Sequence, residues 1–202
     1  MAYKTSGVAG FGIKEVADVG FYKQGTVRID ENGKIESGTP LFVLDTLKVS
    51  NIENTAEQTE AKGGKGNAPL IIWDYGREIN ITLQDAVMTM ETLSMMFEGE
   101  VKDGNEIVIS ANTFPGTYSI VGKTFARDMS GEDSLFTWYV PKAKVNSEVT
   151  LTMEAEGDPT VFDMTLRVLR DSDGSMVRLI RDAGTKANDY DALSDFEGAT
   201  QG

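Results

Sequence analysis

The 202-residue sequence contains no cysteine and no histidine. Without cysteine the chain cannot form a disulfide framework, a thiolate nucleophile or a cysteine-ligated zinc or iron–sulfur site. Without histidine it lacks the most frequent general base, and with it Ser-His-Asp and Cys-His catalysis, as well as the commonest transition-metal ligand. What is left is carboxylate, lysine or tyrosine chemistry and oxygen-ligated calcium or magnesium, which excludes most enzyme classes. Because the motifs described below offer no credible active site either, we expect no enzyme, no metal site and no cofactor.

Basic residues are also scarce. Nineteen lysines and arginines stand against 32 aspartates and glutamates, which gives a formal net charge of −13 and an isoelectric point near 4.4. Nucleic-acid binding and adsorption to an anionic membrane both depend on clustered cations, so this balance disfavours them. Two interpretations stay open: the charge keeps the chain soluble, or it lets a surface lie beside a polyanion without adhering to it.

Long apolar runs are absent as well. No stretch approaches the roughly 20 apolar residues of a membrane-spanning helix, and residues 1–20 lack the apolar centre of a secretory signal peptide. We therefore expect no membrane anchor and a protein that stays in, or is assembled in, the cytoplasm.

Strand signals dominate what is present. Asn32-Gly33 lies between two short β-rich runs and is typical of a tight hairpin, and Ile79, Ile81 and Leu83 alternate with polar residues at period two. This pattern predicts a mainly β protein, an antiparallel sandwich or barrel formed by one domain of residues 1–182. Turn-forming clusters separate further predicted strands at about 106–113, 116–127, 134–145, 148–157, 160–170 and 175–182.

One helix and one long loop interrupt these strands. Thr82-Leu83-Gln84-Asp85 resembles a capping box, and Thr89 is suited to cap a second turn. Apolar residues then recur at helical spacing, and Gly99 is a suitable stop. We therefore predict a flanking α-helix over about 85–98. Residues 53–69 are polar and include the run Lys62-Gly63-Gly64-Lys65-Gly66-Asn67, which predicts a mobile loop.

Two runs of large apolar residues do not fit a half-exposed strand. Leu70-Ile71-Ile72-Trp73 cannot direct all four side chains to one core, because neighbouring residues of a strand face opposite sides. Either both faces are covered within the chain, or one face meets another subunit. The same two alternatives apply to residues 135–140.

The predicted strand pair near 148–170 alternates apolar and polar residues, so its core lies on one side and water on the other. Its polar face is acidic and rich in threonine. The carboxylates that we single out on this face are Glu148, Glu154, Glu156 and Asp163.

Three motifs resemble functional sites but have simpler explanations. Gly122-Lys123-Thr124 resembles the end of a phosphate loop, yet it lies within a predicted strand and lacks the upstream glycine. Asp171-Ser172-Asp173-Gly174 matches the start of a calcium loop, yet the remaining ligands are missing, so we interpret it as a hairpin turn. Carboxylate pairs abound, but a glycosidase would also need a sugar cleft, and nothing in the sequence brings Trp73 and Trp138 together.

The last twenty residues, 183–202, hold four acids and one lysine among small residues. Tyr190, Leu193 and Phe196 recur at intervals of three within this acidic segment. We interpret it as a flexible tail or as an arm that a partner orders.

Residues 40–100 contain a series of motifs, which are Thr55-Ala56-Glu57, residues 60–67, residues 70–75, and Glu78-Ile79 through Leu83-Gln84-Asp85-Ala86. Together these motifs resemble bacteriophage tail tube proteins. In that family a Gly-Gly-Lys-Gly-Asn-like loop leads into a strand and then into a short helix. The resemblance implies a small β-sandwich or barrel with a flanking helix, six copies of which form a ring by joining their sheets. It also implies that rings stack into a tube around a tape-measure protein and that the tube conducts the genome during infection.

Our hypothesis is therefore a structural subunit of a phage tail tube with an acidic, DNA-repelling lumen. The resemblance implies self-association and partners among the tape-measure, tail terminator, baseplate and, in a contractile tail, sheath proteins. The virion would be its location. Alternatives are a β-sandwich module that binds carbohydrate, or another virion component such as a capsid decoration protein. Our candidate residues are Glu148, Glu154, Glu156 and Asp163 for the lumen, Lys62, Gly63, Gly64, Lys65, Gly66, Asn67, Leu70, Ile71, Ile72 and Trp73 for contact between subunits, and Tyr190, Leu193 and Phe196 for a tail contact.

Overall fold

The computed structural model of the chain describes residues 10–13, 18–87, 89–146, 162–186 and 196. Within these residues, antiparallel strands dominate and one helix flanks them, which confirms the predicted mainly β fold. The strands are β1 (Phe11–Ile13), β2 (Asp18–Lys23), β3 (Arg28–Ile29), β4 (Ile35–Ser37), β5 (Phe42–Leu44), β6 (Leu47–Gly63), β7 (Ala68–Asp85), β8 (Glu100–Lys102), β9 (Glu106–Val108), β10 (Thr117–Asp128), β11 (Asp133–Val145), β12 (Phe162–Val168) and β13 (Arg178–Lys186), and the helix is α1 (Met90–Phe97).

The long hairpin of β10 and β11 organises the sheet. The first half of β10 pairs with β2 and its second half with β1, while β11 pairs first with β13 and then with β12. The main path of the sheet is therefore β5-β2-β10-β11-β12-β7-β6, with β5 and β6 at opposite edges. Two small antiparallel pairs, β3–β4 and β8–β9, lie outside this path.

Two apolar cores lie on the two faces of this sheet. The larger core includes Phe21, Ile81, Trp138 and Leu166, and the helix contributes Met96 to it. The smaller core contains Tyr22, Val27, Ile35, Val121 and Phe196, and so lies under the β3–β4 hairpin. Alternation along a strand explains the division, because Phe21 and Tyr22 are neighbours that must point to opposite faces.

The β3–β4 hairpin and β12 follow the sequence pattern closely. Gly33 has a φ of 85° in the predicted turn after Asn32, a backbone conformation that glycine adopts without strain. In β12, the apolar residues Phe162, Met164, Leu166 and Val168 are buried while Asp163 and Arg167 are exposed. The partner strand predicted at 148–157 lies outside the described residues.

The helix begins later than predicted. Asp85 ends β7 as a buried residue that accepts a hydrogen bond from the Thr46 hydroxyl, so it does not open a helix. Thr89 is the N-cap instead, and its Oγ1 accepts a hydrogen bond of 3.1 Å from the Thr92 backbone N–H. At the other end Glu98 adopts the left-handed conformation, immediately before the predicted stop at Gly99.

The predicted mobile loop over residues 53–69 is wrong, because most of it belongs to β6 and β7. These strands pair from Leu47 with Asp85 to Gly63 with Ala68, and only residues 64–67 form the turn between them. Polar side chains on both faces of a two-stranded ribbon remove the period-two signal by which a strand is recognised. Among the described residues, no helix is long and apolar enough to span a membrane.

Candidate functional site

The β6–β7 hairpin extends beyond the sheet as a two-stranded ribbon, which we call the arm (residues 53–78). Near the sheet, Ile79, Ile81 and Leu83 of β7 are buried, whereas every residue from 64 to 78 is exposed. At about 3.3 Å per residue, the arm strand of residues 68–78 is about 33 Å long. An isolated two-stranded hairpin is marginally stable in water, so this length points to a surface that another molecule covers.

Local sequence explains how the arm turns and bends. Gly64, Gly66 and Asn67 all have positive φ in the turn, and the Asn67 N–H donates a hydrogen bond of 3.2 Å to the Gly64 carbonyl. A register shift between Thr55 and Glu57 lies opposite Gly76, which also has a positive φ. Such a bulge increases the twist of a ribbon and so turns the arm relative to the sheet.

The pairing register gives the arm two different faces. The Gln58 side-chain amide donates a hydrogen bond of 2.8 Å to the Asp74 carboxylate, so these polar residues share one face. Alternation then directs Ile71, Trp73 and Tyr75 to the other face. On β6, Thr59 pairs with Trp73 and Ala61 with Ile71, so the second face is mainly apolar.

The apolar residues of the arm are uncovered within the chain. Leu70, Ile71, Ile72, Trp73 and Tyr75 have exposed fractions between 50 and 68%. Ile71, Trp73 and Tyr75 lie on one face of the ribbon and Leu70 and Ile72 on the other, and exposed apolar surface of this kind is typical of interaction sites. Of the two alternatives for residues 70–73, burial within the chain is therefore wrong, and a partner remains.

Residues 135–140, the second apolar run, are covered within the chain. Leu135, Phe136, Thr137, Trp138 and Val140 are all buried, because β11 is central in the sheet and has a core on each face. Trp138 is enclosed while Trp73 lies on the arm, so the two tryptophans do not form a platform for a sugar ring.

The end of the arm is cationic. The arm tip, which we define as residues 61–73, contains Lys62 and Lys65 and no acidic residue. Lys62 forms an ion pair of 3.0 Å with Glu60. Lys65 forms no ion pair with any residue that the structure describes. In a chain of net charge −13, this tip therefore has the opposite sign to the molecule as a whole.

A second feature is a groove beside the helix, which we call the helix groove. Its volume is about 470 Å³, and it lies where α1, β5, β8 and the start of β10 approach one another. Apolar side chains and three carboxylates line it. The lining residues are Leu41, Phe42, Glu91, Ser94, Met95, Glu98, Gly99, Glu100, Val101, Thr113 and Tyr118.

Glu98 is held at the mouth of the helix groove. Its Oε2 accepts hydrogen bonds of 3.3 Å from the Gly116 N–H and 3.4 Å from the Tyr118 hydroxyl. Burial of the phenol, with a further contribution from the neighbouring Glu98 charge, raises the pKa of Tyr118 to about 12. The sequence prediction missed this groove, although the acids on either side of Gly99, where the helix ends, were a signal that could have found it.

The predicted lumen residues are only partly described. Asp163 is exposed on β12 and accepts a hydrogen bond of 2.9 Å from the Gln84 side-chain amide. Glu148, Glu154 and Glu156 lie outside the described residues. The polar face around Asp163 carries both signs, because Lys144, Arg167, Asn80 and Glu53 form one cross-strand row on it.

Of the three residues predicted for a tail contact, the structure describes Phe196, and it contradicts the prediction for that residue. Phe196 is buried inside its own chain, where a Cβ added at Gly20 would lie 2.7 Å from its ring. Lys123 Nζ lies 5.8 Å from the centroid of that ring. Phe196 therefore packs in the smaller core and is not a surface contact, while Tyr190 and Leu193 lie outside the described residues.

The runs that resemble a phosphate loop and a calcium loop have the simpler structures that we expected, a strand and a turn. Gly122-Lys123-Thr124 lies within β10, and no helix follows it as a phosphate loop requires. Residues 171–174 form a turn in which the Gly174 N–H donates a 3.0 Å hydrogen bond to the Asp171 carbonyl. No group of three or more acidic side chains in the described residues is placed to hold a metal ion.

Comparison with known proteins identifies a family and several similar solved structures. The family model of the YomU/Tube protein family matches residues 11–105 and 99–180. No curated protein matches the chain. A chain in the cryo-EM structure of the anti-feeding prophage (AFP) baseplate, 6-fold symmetrised, is 14% identical with a TM-score of 0.49, and the match covers 85% of this chain and 97% of that one.

Proposed function

The chain belongs to the YomU/Tube protein family, and from this membership we propose that it is a subunit of a phage tail tube whose copies form stacked rings. The predicted resemblance to tail tube proteins is confirmed by the family match, and the chain is a structural protein associated with phage tails. In our proposal the rings are hexameric, as the resemblance implies, and the tube conducts DNA. The tape-measure, terminator and baseplate proteins are its proposed partners.

The observation that carries this proposal is the uncovered apolar strand of the arm. Removing apolar surface from water favours association, and the arm holds five large apolar side chains that are at least half exposed. A monomer would leave this surface in water, where it favours aggregation. A head-to-tail contact that closes into a ring covers it in every copy.

Charge gives the second support. A conduit for DNA functions best when it does not bind the phosphates that pass through it, and a net charge of −13 repels them. We propose the polar face that carries Asp163 for the lumen, with Glu148, Glu154 and Glu156 on its continuation. Because Lys144 and Arg167 share the described part of this face, its acidity depends on those three glutamates. The role is mechanical and electrostatic and needs no catalysis.

Assembly of the purified chain tests the proposal. We expect sedimentation velocity and negative-stain microscopy to show rings or tubes of constant bore that form as concentration rises. The variant Ile71→Ser/Trp73→Ser is expected to stay monomeric without losing fold stability, since both side chains are at least half exposed. Met129→Ser is the matched control, because Met129 is exposed outside the arm. A wild-type chain that is monomeric at every concentration, or an arm variant that assembles normally, would contradict the proposal.

Retention of DNA by assembled tubes tests the lumen. Wild-type tubes are expected to release DNA freely, whereas Asp163→Lys tubes retain it through added phosphate contacts at low salt. Glu31→Lys is the matched charge control, since Glu31 is exposed in the β3–β4 turn. Equal retention by the two variants would exclude the Asp163 face from the lumen.

A further inference from the structure

The arm tip and the helix groove lie far apart within one chain. Only Asp45 and Thr46 join β5, which contributes Phe42 to the groove, to Leu47 at the start of β6, so β6 begins close to the groove. Gly63 in the arm tip is 16 residues further along this strand, about 53 Å from Leu47 at 3.3 Å per residue. Every residue from 64 to 78 is exposed, so the arm of a chain does not fold back onto its own groove.

The two surfaces are complementary in charge. In the arm tip Lys65 forms no ion pair with any described residue, whereas Lys62 is paired with Glu60 just before the tip. The helix groove carries Glu91, Glu98 and Glu100 with no lysine or arginine among its described lining residues. These three glutamates form no ion pair with any described residue. Opposite potentials on two uncovered surfaces favour their association and fix its register.

The two surfaces are also alike in being apolar at their centres. Leu41 and Val101 of the groove are exposed, and Phe42 and Tyr118 are partly exposed beside them. The arm presents Leu70, Ile71, Ile72 and Trp73 next to its lysines. Apolar centres surrounded by polar or charged rims are the usual anatomy of protein interfaces.

We propose that the arm tip of one copy binds in the helix groove of the next copy, with Lys65 beside Glu98 and Glu100 and with Ile71 and Trp73, which share one face of the arm, against Leu41 and Val101. The inference rests on the proposed function, because it names the surface that receives the arm. A donor and an acceptor at different places on the chain make a heterologous contact, which generates rings or helical stacks.

Cross-linking between two single-cysteine variants tests the contact, and the natural chain has no cysteine to interfere. The Lys65→Cys and Glu100→Cys chains are purified separately and mixed so that they assemble together. The mixed assemblies are then treated with a short bismaleimide. We expect a covalent dimer from this mixture. The control replaces Glu100→Cys by Ser130→Cys, at the far end of β10 and about 33 Å or more from Tyr118 of the groove. Cross-linking with Ser130→Cys but not with Glu100→Cys would overturn the proposal.

A charge exchange gives an independent measure. We expect Lys65→Glu and Glu100→Lys each to raise the concentration needed for assembly by about tenfold at low salt, because each one places like charges together. The double variant within one chain restores the attraction, since each altered tip meets an altered groove, and its assembly should return towards the wild-type value. The inference is overturned if neither single variant changes the concentration needed for assembly. It is also overturned if the double variant assembles as poorly as the two single effects combined predict.

The outcomes separate this inference from the proposed function. If Ile71→Ser/Trp73→Ser fails to assemble, but neither the cross-link nor the rescue by charge exchange is observed, the proposed tube function stands. The helix groove is then excluded as the surface that receives the arm. A wild-type chain that never assembles excludes both.

Discussion

The Gln58 side chain donates a hydrogen bond of 2.8 Å across the arm to the Asp74 carboxylate. This bond joins two residues that pair directly between β6 and β7, so both lie on one face of the ribbon. Trp73 consequently faces the other side, next to Ile71 and Tyr75. This polar contact therefore identifies the face that carries Ile71, Trp73 and Tyr75, while Leu70 and Ile72 share the face of Asp74.

The position of Trp73 predicts a fluorescence change on assembly. The chain has two tryptophans, of which Trp138 is buried and Trp73 is half exposed. Covering Trp73 removes water from its indole, so we expect the emission to move to shorter wavelength as concentration rises. In Trp73→Phe the remaining indole is already enclosed, and the emission should not shift. An unchanged spectrum in wild-type assemblies would show that the arm stays in water.

Gly122 is predicted to tolerate no side chain. It pairs with Trp138, and a Cβ at this position would lie 1.9 Å from the indole Cε2. Gly122→Ala must displace the indole in the larger core, and overpacking of this kind costs about 1–3 kcal/mol of unfolding free energy. Chemical denaturation measures the loss.

Gly12→Ala is the control for that measurement, because Gly12 is also a strand residue and nothing lies within 4 Å of an added Cβ. We expect its unfolding midpoint to stay near that of the wild type. A Gly122→Ala chain as stable as Gly12→Ala would mean that Trp138 does not cover Gly122.

Phe196 is predicted to stabilise the fold although it lies six residues from the end of the sequence. Its ring is buried against Gly20 and Tyr22 in the smaller core. Phe196→Ala should therefore lower the unfolding free energy by about 3 kcal/mol, the usual scale for truncating a buried phenylalanine. Phe114→Ala is the comparison, since Phe114 is exposed and its loss should cost within about 0.5 kcal/mol. Equal stability of the two variants would place Phe196 outside the core.

The phenol of Tyr118 predicts a loss of stability at high pH. Burial and the Glu98 charge raise its pKa from 10.0 to about 12, so folding favours the protonated form. The stabilisation is complete below pH 10 and is lost as the pH rises towards 12, because the unfolded chain releases this proton first. Tyr118→Phe removes that part of the pH dependence. An absorbance titration in which wild type and Tyr118→Phe differ near pH 10 would contradict the assignment.

Local patterns predicted the elements whose environment is set by near neighbours. Asn32-Gly33 predicted a hairpin, the alternation of β12 predicted its buried face, and Gly99 predicted the end of the helix. The start of the helix was wrong because Asp85, which resembled a capping residue, is the buried end of a strand. Its strand pairing with Leu47 of β6 and Phe162 of β12, and its hydrogen bond from the Thr46 hydroxyl, decided its role, and that information is not local.

The two apolar runs show why the site itself could not be fully predicted. Residues 70–73 and 135–140 look alike in the sequence, yet one lies on an uncovered ribbon and the other between two cores. The difference depends on how many strands and layers surround each run, which only the assembled sheet decides. The helix groove depends in the same way on α1, β5 and β8 meeting in space.

A cryo-EM map of the assembled particle tests the central claim most directly, because it locates the arm in the presence of its neighbours. The result we predict is that Leu70, Ile71, Ile72 and Trp73 of each copy are buried against another copy. Density in which copies join through other surfaces, with these four side chains still in solvent, would contradict the account.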